Sequence, residues 1–369
     1  MFAFLSWLWA RLCSLFSCLW CSEDGGQRHR IVTFPRSGHV VSIQDTIGEG
    51  AFSFVYTAQE TNSSRALNEE GSRRRFALKK MFLQSSDFER CAQSEVTAFG
   101  RFRHANILPL VDSVTLVEAS AGGGGGKVKV MYMLFPLMPR GSLRDVLNSQ
   151  MDGSSRDPLP SLHQVLHDFV AVAEALNVLH TFQPAYVHQD LKPENVLIGA
   201  DGTPFLMDFG SVRLADVPIR DRSKALKVAE DAASYCTVSY RAPELFDPPT
   251  GLLLDTRTDV WAAGCLLFAW FYGYSPYECE FSDEDGKGGG KGRAQLRVVE
   301  SSHLRVLTPA PRRAEAVSTK EDQALSREVE AILQQHITDR PFLTDVIVRL
   351  RGVMEELVTG QDGSGRSAV

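Results

Sequence analysis

The sequence predicts an α+β chain of two unlike lobes, on three observations. Strand-type alternation is confined to the first part of the chain, in VVSIQDTI, FSFVYTAQ, FALKKMFL and VKVMYMLF, between residues 40 and 135. From residue 161 onward the apolar residues recur at helical spacing, in LHQVLHDFVAVAEALNVLH, DVWAAGCLLFAWFYG and REVEAILQQHI. The length of 369 residues exceeds the needs of one small core and suits two compact bodies with a cleft between them.

The first segment, MFAFLSWLWARLCSLFSCLW, is apolar over about 20 residues, enough to cross a bilayer. Arg11, its one charged side chain, opposes a span by about 2.5 to 3.5 kcal/mol. On a helical wheel Ser6, Arg11, Ser14, Ser17 and the cysteines gather opposite Leu5, Leu8, Trp9, Leu12, Leu15, Phe16 and Leu19. Residues 1–22 are therefore expected to associate with a membrane as a helix in the interface plane, with Cys13, Cys18 and Cys21 available for palmitoylation. A simple span is the alternative, and Arg28 and Arg30 then favour a cytosolic location for the remainder.

Residues 23–40 read as a polar linker and residues 356–369 as a disordered tail. NSSRALNEEGSRRR, ASAGGGGG and DEDGKGGGKGR read as insertions in surface loops, which loop-closure entropy tolerates at any of these lengths. The net charge of -6, with both signs interspersed, offers no basic face for nucleic acid, and SRRR at 72–75 reads as a solvated loop. The 7 cysteines lack paired zinc or disulfide spacing, which points to a reducing compartment.

Moving a phosphoryl group from a nucleotide demands positioning and charge neutralisation more than covalent chemistry. GEGAF at 48–52 lies between two strands and supplies a backbone that can approach phosphates closely, through Gly48, Glu49 and Gly50. Phe52 and Ser53 stand where a third glycine would complete the fuller motif, so this signal is weak alone. Val55 then faces back under the loop as an apolar ceiling. Lys79 shares its strand face with Ala77, and Glu95, at the start of the helical SEVTAFGRF, can orient its ammonium. In HQDLKPEN, Asp190 can take the proton of an attacking hydroxyl, Lys192 can neutralise a transferred phosphate, and Asn195 can hold a metal ion. MDFG follows with Asp208, and one Asp plus one Asn suits Mg²⁺ shared with phosphates.

In this order these motifs resemble the eukaryotic protein kinases. The resemblance runs over residues 41–355 and implies the bilobal kinase fold: a small β-rich N-lobe (41–135) with one main helix, a hinge at 136–138 and a larger α-helical C-lobe (139–355). It assigns Lys79, Glu95, Asp190 and Lys192 to catalysis and Asn195 and Asp208 to Mg²⁺. ATP falls against Gly48, Glu49, Gly50, Val55, Ala77, Lys79, the gatekeeper Phe135, Met138 and Leu197. It further implies that Glu244 pairs with Arg340, that Asp259 braces the catalytic loop, and that Thr237 marks a serine/threonine rather than a tyrosine kinase. The expected activity is transfer of the γ-phosphate of ATP to Ser or Thr hydroxyls of protein substrates, including the chain itself.

YCTVSYRAPELF, LMDFGSVRLADV and TRTDVWAAGCLLFA are similar to the Numb-associated kinase family, and within it to the acylated serine/threonine kinases of Golgi membranes. That likeness implies an extra helix in the activation segment, over RSKALKVAEDAASYC, and a place on the cytoplasmic face of a membrane such as the Golgi. Phe2 replaces the glycine that N-myristoylation requires, so attachment would fall to the apolar segment and its cysteines. The competing function class is a catalytically silent pseudokinase scaffold, which the joint presence of Lys79, Asp190, Asn195 and Asp208 argues against. A small-molecule kinase is a third class, opposed by the complete SYRAPEL segment. Gln189 stands where kinases commonly carry an arginine that grips an activation-loop phosphate, which implies a segment held by its own packing; Arg213 is the competing phosphate reader.

Overall fold

The computed structural model of the chain describes residues 30–50, 53–62, 73–119, 127–155, 157–277 and 319–362. The apolar segment 1–22 with its three cysteines lies outside these residues, as do most of the three insertions. Among the described residues no helix is long and apolar enough to cross a membrane.

The first lobe is a six-stranded antiparallel sheet in the order β1-β2-β3-β4-β6-β5. Its strands are β1 (Ile31–Phe34), β2 (His39–Glu49), β3 (Ser53–Glu60), β4 (Arg75–Phe82), β5 (Asp112–Ala119) and β6 (Lys127–Pro136), with helix α1 (Ser86–Arg101) between β4 and β5. Successive side chains on a strand point to opposite faces. Phe76 and Leu78 of β4 thus join Val32, Phe34, Val41, Ala58, Val130, Tyr132 and Leu134 in a closed outer core. Ala77, Met81, Met131, Met133 and Phe135 turn the other way, toward α1 and the second lobe. Lys79 shares that inward parity with Ala77 and Met81. On α1, Ala92, Glu95, Ala98 and Phe99 recur at helical spacing as the buried stripe, so a carboxylate sits in an otherwise apolar row.

Two features of this lobe correct the sequence reading. Residues 31–34, assigned to the linker, pair with β2 from Ile31↔Ser42 to Phe34↔His39, because Val32 and Phe34 alternate into the outer core. Strand β5, absent from the alternating stretches, pairs along its whole length with β6.

The second lobe is helical: α2 (Leu143–Met151), α3 (Leu162–His180), α4 (Arg222–Tyr235), α5 (Arg257–Tyr272), α6 (Thr319–Ile332) and α7 (Leu343–Asp362). Helix α5 is buried from Thr258 to Tyr272 on every side, and α3 buries ten of its side chains, so these two form the centre. Short two-stranded antiparallel ladders decorate it: β7 (Tyr186–Val187) with β10 (Arg213–Leu214), β8 (Val196–Ile198) with β9 (Pro204–Leu206), and β11 (Val217–Pro218) with β12 (Leu253–Leu254). The expected activation-segment helix is α4, capped by Asp221, whose side chain accepts from the Lys224 amide at 2.8 Å. A third correction concerns the tail. Residues 356–362 are helical, because Val353, Met354 and Leu357 pack onto the core and carry α7 to Asp362.

Candidate active site

The cleft between the lobes gathers the inward face of β4, the buried stripe of α1 and the loops around β7 to β9. The Lys79 ammonium donates to Glu95 Oε1 at 2.7 Å and to Asp208 Oδ1 at 3.4 Å. Burial pushes this ammonium toward neutrality, but the charges of Asp208 and Glu95 outweigh it and hold Lys79 above its ordinary range. The Lys79 charge, working against burial, in turn holds the Asp208 carboxyl below the usual carboxylate range. The lysine therefore stays a cation and Asp208 an anion at neutral pH.

Around this pair lie the residues expected to meet the nucleotide. Val55 stands opposite Gly48 on one side and Lys79 on the other, and Ala77 stands opposite Phe135. Glu49 pairs with Phe54 at the end of β2. At Gly50 the amide donates to Ser53 O at 2.8 Å, and a Cβ there would come within 2.9 Å of Ser53 Oγ, so a side chain would require that hydroxyl to turn away. Ala51 and Phe52, at the tip of the loop, lie outside the described residues. Phe135 is buried edge-on against Phe99 at 5.1 Å, while Met138 and Leu197 are partly buried against the same core.

The loop from His188 to Asn195 converges on Asp190. Asn195 Nδ2 donates to Asp190 O at 2.7 Å and to its Oδ2 at 3.1 Å. Lys192 Nζ lies 2.8 Å from Asp190 Oδ2 and donates to Thr237 Oγ1 at 2.8 Å. Thr237 gives both its amide (3.1 Å) and its hydroxyl (2.7 Å) to Asp190 Oδ1. The Met207 amide donates to Asn195 O at 3.0 Å, which sets Asn195 beside Asp208. Asn195 spends its amide nitrogen on Asp190, which leaves its amide oxygen as the atom that could ligate a metal ion. That oxygen and the Asp208 carboxylate are two hard donors of the kind that fits a magnesium ion shared with phosphates.

Backbone strain accompanies this convergence. Among the described residues, Gln189 and Asp208 are the non-glycine residues with positive φ, at 68° and 62°. The first is held by Asp259, whose carboxylate accepts from the His188 amide at 2.6 Å, the Gln189 amide at 2.9 Å and His180 Nε2 at 3.1 Å. Burial pushes the Asp259 carboxyl up, but the hydrogen bond and charge of His180, with those of His188, outweigh it and hold the carboxyl below its usual range. Phe209 fixes the second. Its ring lies 4.7 Å from Phe99, 6.2 Å from Phe102 and 5.6 Å from His188, so it joins α1 to the catalytic loop.

The segment from Asp208 to Glu244 is anchored throughout by its own contacts. The Ile219 amide donates to Leu252 O at 2.8 Å and its carbonyl accepts from the Gly251 amide at 2.7 Å, Arg241 donates to Cys236 O at 2.9 Å, and Glu244 forms a bidentate pair with Arg340 at 2.8 and 3.1 Å. The Gln189 side chain makes no hydrogen bond to a described residue, and Arg213 stacks over the Tyr235 ring at 4.3 Å. Burial pushes the Cys236 thiol, next to Thr237, up to about 12, which leaves it protonated and removes it as a nucleophile.

The structure thus joins Lys79, Glu95 and Asp208 to one another and gathers Lys192 and Asn195 on Asp190. Several other residues of the site were not expected. Phe99, Phe102 and His188 escaped because an aromatic column has no sequence spacing, and His180 reaches Asp259 across 79 positions. Arg144, which donates to Glu194 at 3.0 Å and to Tyr240 Oη at 3.0 Å, carries no motif at all.

Comparison with known proteins gives the same answer independently. The protein kinase domain family matches residues 41–347. Serine/threonine-protein kinase 16 of Homo sapiens is 33% identical over 239 residues, covering 65% of this chain and 72% of the relative, and its Mus musculus counterpart is 32% identical over the same shares. A Dictyostelium discoideum protein described as a probable serine/threonine-protein kinase is 26% identical over 384 residues, covering 88% of this chain and 96% of that protein. With a β-rich lobe, a helical lobe and this cleft between them, the chain belongs to the protein kinase domain family and is a serine/threonine kinase, a transferase.

Proposed function

We propose that this kinase transfers the γ-phosphate of MgATP to Ser and Thr hydroxyls of protein substrates and of its own chain, with Asp190 as the group that orients the acceptor. The observation that carries the reading is the pair of contacts on one ammonium: Lys79 meets Glu95 at 2.7 Å and Asp208 at 3.4 Å, so both lobes are already in register across the cleft. MgATP supplies the phosphoryl group and, through its metal ion, positive charge against the transferred phosphate.

The chain's own residues do the rest. Lys79, kept cationic, orients the α- and β-phosphates, and Glu95 fixes its direction. Asn195 and Asp208 would hold the metal ion with one amide and one carboxylate oxygen. Asp190 accepts the acceptor hydroxyl's hydrogen bond and directs its lone pair in line, while Lys192 neutralises charge that builds on the transferred group. Gly48, Glu49, Gly50 and Val55 cover the nucleotide, and Ala77, Phe135, Met138 and Leu197 line the adenine pocket. Membership of the Numb-associated kinases rests on the three stretches quoted above and on α4 in the activation segment. Attachment to the cytoplasmic face of a membrane, through residues 1–22 and acylated Cys13, Cys18 and Cys21, rests on that segment's composition.

The test of the chemistry is phosphate transfer from labelled ATP by the full chain, to a generic Ser/Thr substrate and to itself, against Asp208→Asn. Loss of nearly all transfer with an unchanged unfolding profile is expected; undiminished transfer overturns the metal assignment. For attachment, hydroxylamine should release the protein from membranes, and a protein already soluble in buffer alone refutes the proposal.

A further inference from the structure

The carboxylates of the two segments that frame the acceptor hydroxyl are all compensated within the protein. Residues 188–195 and 237–244 contain three carboxylates, Asp190, Glu194 and Glu244. Asp190 faces Lys192 at 2.8 Å and Glu244 faces the buried Arg340 at 2.8 Å. Glu194 is the most exposed of them, at 45%, and sits in the same tight turn as Lys192 and Asn195. Alone it would present a full negative charge to a peptide lying over Asp190. Arg144 of α2 cancels that charge, with its Nε 3.0 Å from Glu194 Oε1.

What makes this cancellation durable is the rest of the guanidinium. Nη1 donates to Gly273 O at 3.2 Å, at the C-terminal turn of α5, and Nη2 donates to Tyr240 Oη at 3.0 Å, in the segment just past Thr237. With three acceptors on three elements and only 17% of its side chain exposed, Arg144 is held against Glu194 when a competing cation approaches. A cationic peptide side chain then meets a fixed ion pair, whose field falls off faster than that of a lone carboxylate.

We propose that Arg144 is a specificity-determining residue that masks Glu194, so that the acceptor site takes Ser/Thr peptides without a requirement for neighbouring Arg or Lys. This deepens, and rests on, the assignment of Asp190 as the acceptor-orienting group.

The test uses the full chain and a set of matched peptides, one neutral and others carrying a single Arg at each position within three residues of the acceptor. The readout is the ratio of kcat/KM for each Arg peptide to that for the neutral one. The unmodified protein should give ratios near unity. Arg144→Gln should raise the ratio about fivefold at one or more positions, the size of an exposed ion pair, and adding Glu194→Gln should return it to unity. A high ratio in the unmodified protein overturns the proposal, as does an active Arg144→Gln whose ratios do not move. Should Arg144→Gln fail to fold, Glu194→Gln alone decides: unchanged ratios are expected, and a fall in ratio shows that Glu194 was never masked. Absence of any transfer by the unmodified protein overturns the Asp190 assignment and the inference together, whereas transfer abolished by Asp190→Asn with the wrong ratios overturns the inference alone.

Discussion

Thr237 and Asp190 are joined twice: the threonine's amide and its hydroxyl both donate to the same carboxylate oxygen, at 3.1 and 2.7 Å. The hydroxyl is also the acceptor for Lys192 at 2.8 Å, so one side chain aligns the acid and the cation on either side of the reacting hydroxyl. Thr237→Val keeps the shape and removes both hydroxyl contacts. It should lower kcat about 10- to 100-fold through misplacement of Asp190, with KM for ATP unchanged, in steady-state kinetics at saturating peptide.

Glu244 and Arg340 form a deeply buried pair in the second lobe, with side-chain exposures of 5% and 0%. Glu244→Gln leaves a guanidinium stranded over the Trp261 ring, although Gln334 O and Arg257 O still accept from it. Removing one partner of a buried pair costs about 3 to 5 kcal/mol, and the two surviving carbonyl contacts place this case at about 3. A urea titration followed by tryptophan fluorescence reads the loss directly.

The activation segment should work without a phosphate. Its anchors are β11, α4, Arg241 and Glu244, and Gln189 takes no part as a charge. Phosphatase treatment should therefore leave transfer to peptide unchanged. Loss of activity would move the switch to a phosphorylated residue read by Arg213 after it leaves Tyr235. Removing the α4 cap with Asp221→Ala should destabilise that helix by about 1 kcal/mol and make the segment the first site of limited proteolysis.

Asp259 should leave a signature in the pH dependence of stability. Its carboxyl is held below its ordinary value of 3.8 in the folded chain. Above that value the carboxyl is ionised whether the chain is folded or not, and the full stabilisation is present. As pH falls through the depressed folded-state value the carboxyl protonates in the folded chain too, and the stabilisation is lost. Asp259→Asn, which offers one acceptor oxygen to three donors, should cost about 1.5 to 3 kcal/mol at neutral pH. That gap should close as the pH is lowered below 3.8, as measured by denaturant midpoints.

Much of the fold was legible because kinase chemistry is written in short contiguous runs. HQDLKPEN and MDFG place four functional groups within two turns of chain, and the change from strand to helix periodicity marks the lobes. Lys79 and Glu95 were found because they flank patterned segments. What escaped was non-local or weakly patterned. Ile31–Phe34 is too short to alternate convincingly, and β5 begins with the polar pair Asp112 and Ser113. Arg144 meets Glu194 from 50 positions away and Tyr240 from 96, through an ordinary-looking helical arginine. Only the packing of α2 against the catalytic turn reveals what it touches.

The bracing of the catalytic loop also bears on how the molecule opens. Two consecutive amides, those of His188 and Gln189, are tied to a carboxylate on α5 that is simultaneously tied to the last residue of α3. Those helices form the centre of the larger lobe, so local fraying cannot release these amides without disturbing it. In deuterium exchange they should therefore take up label with the slow kinetics of α3 and α5. The loop that performs the chemistry belongs, in its protection against solvent, to the last unit of the protein to unfold.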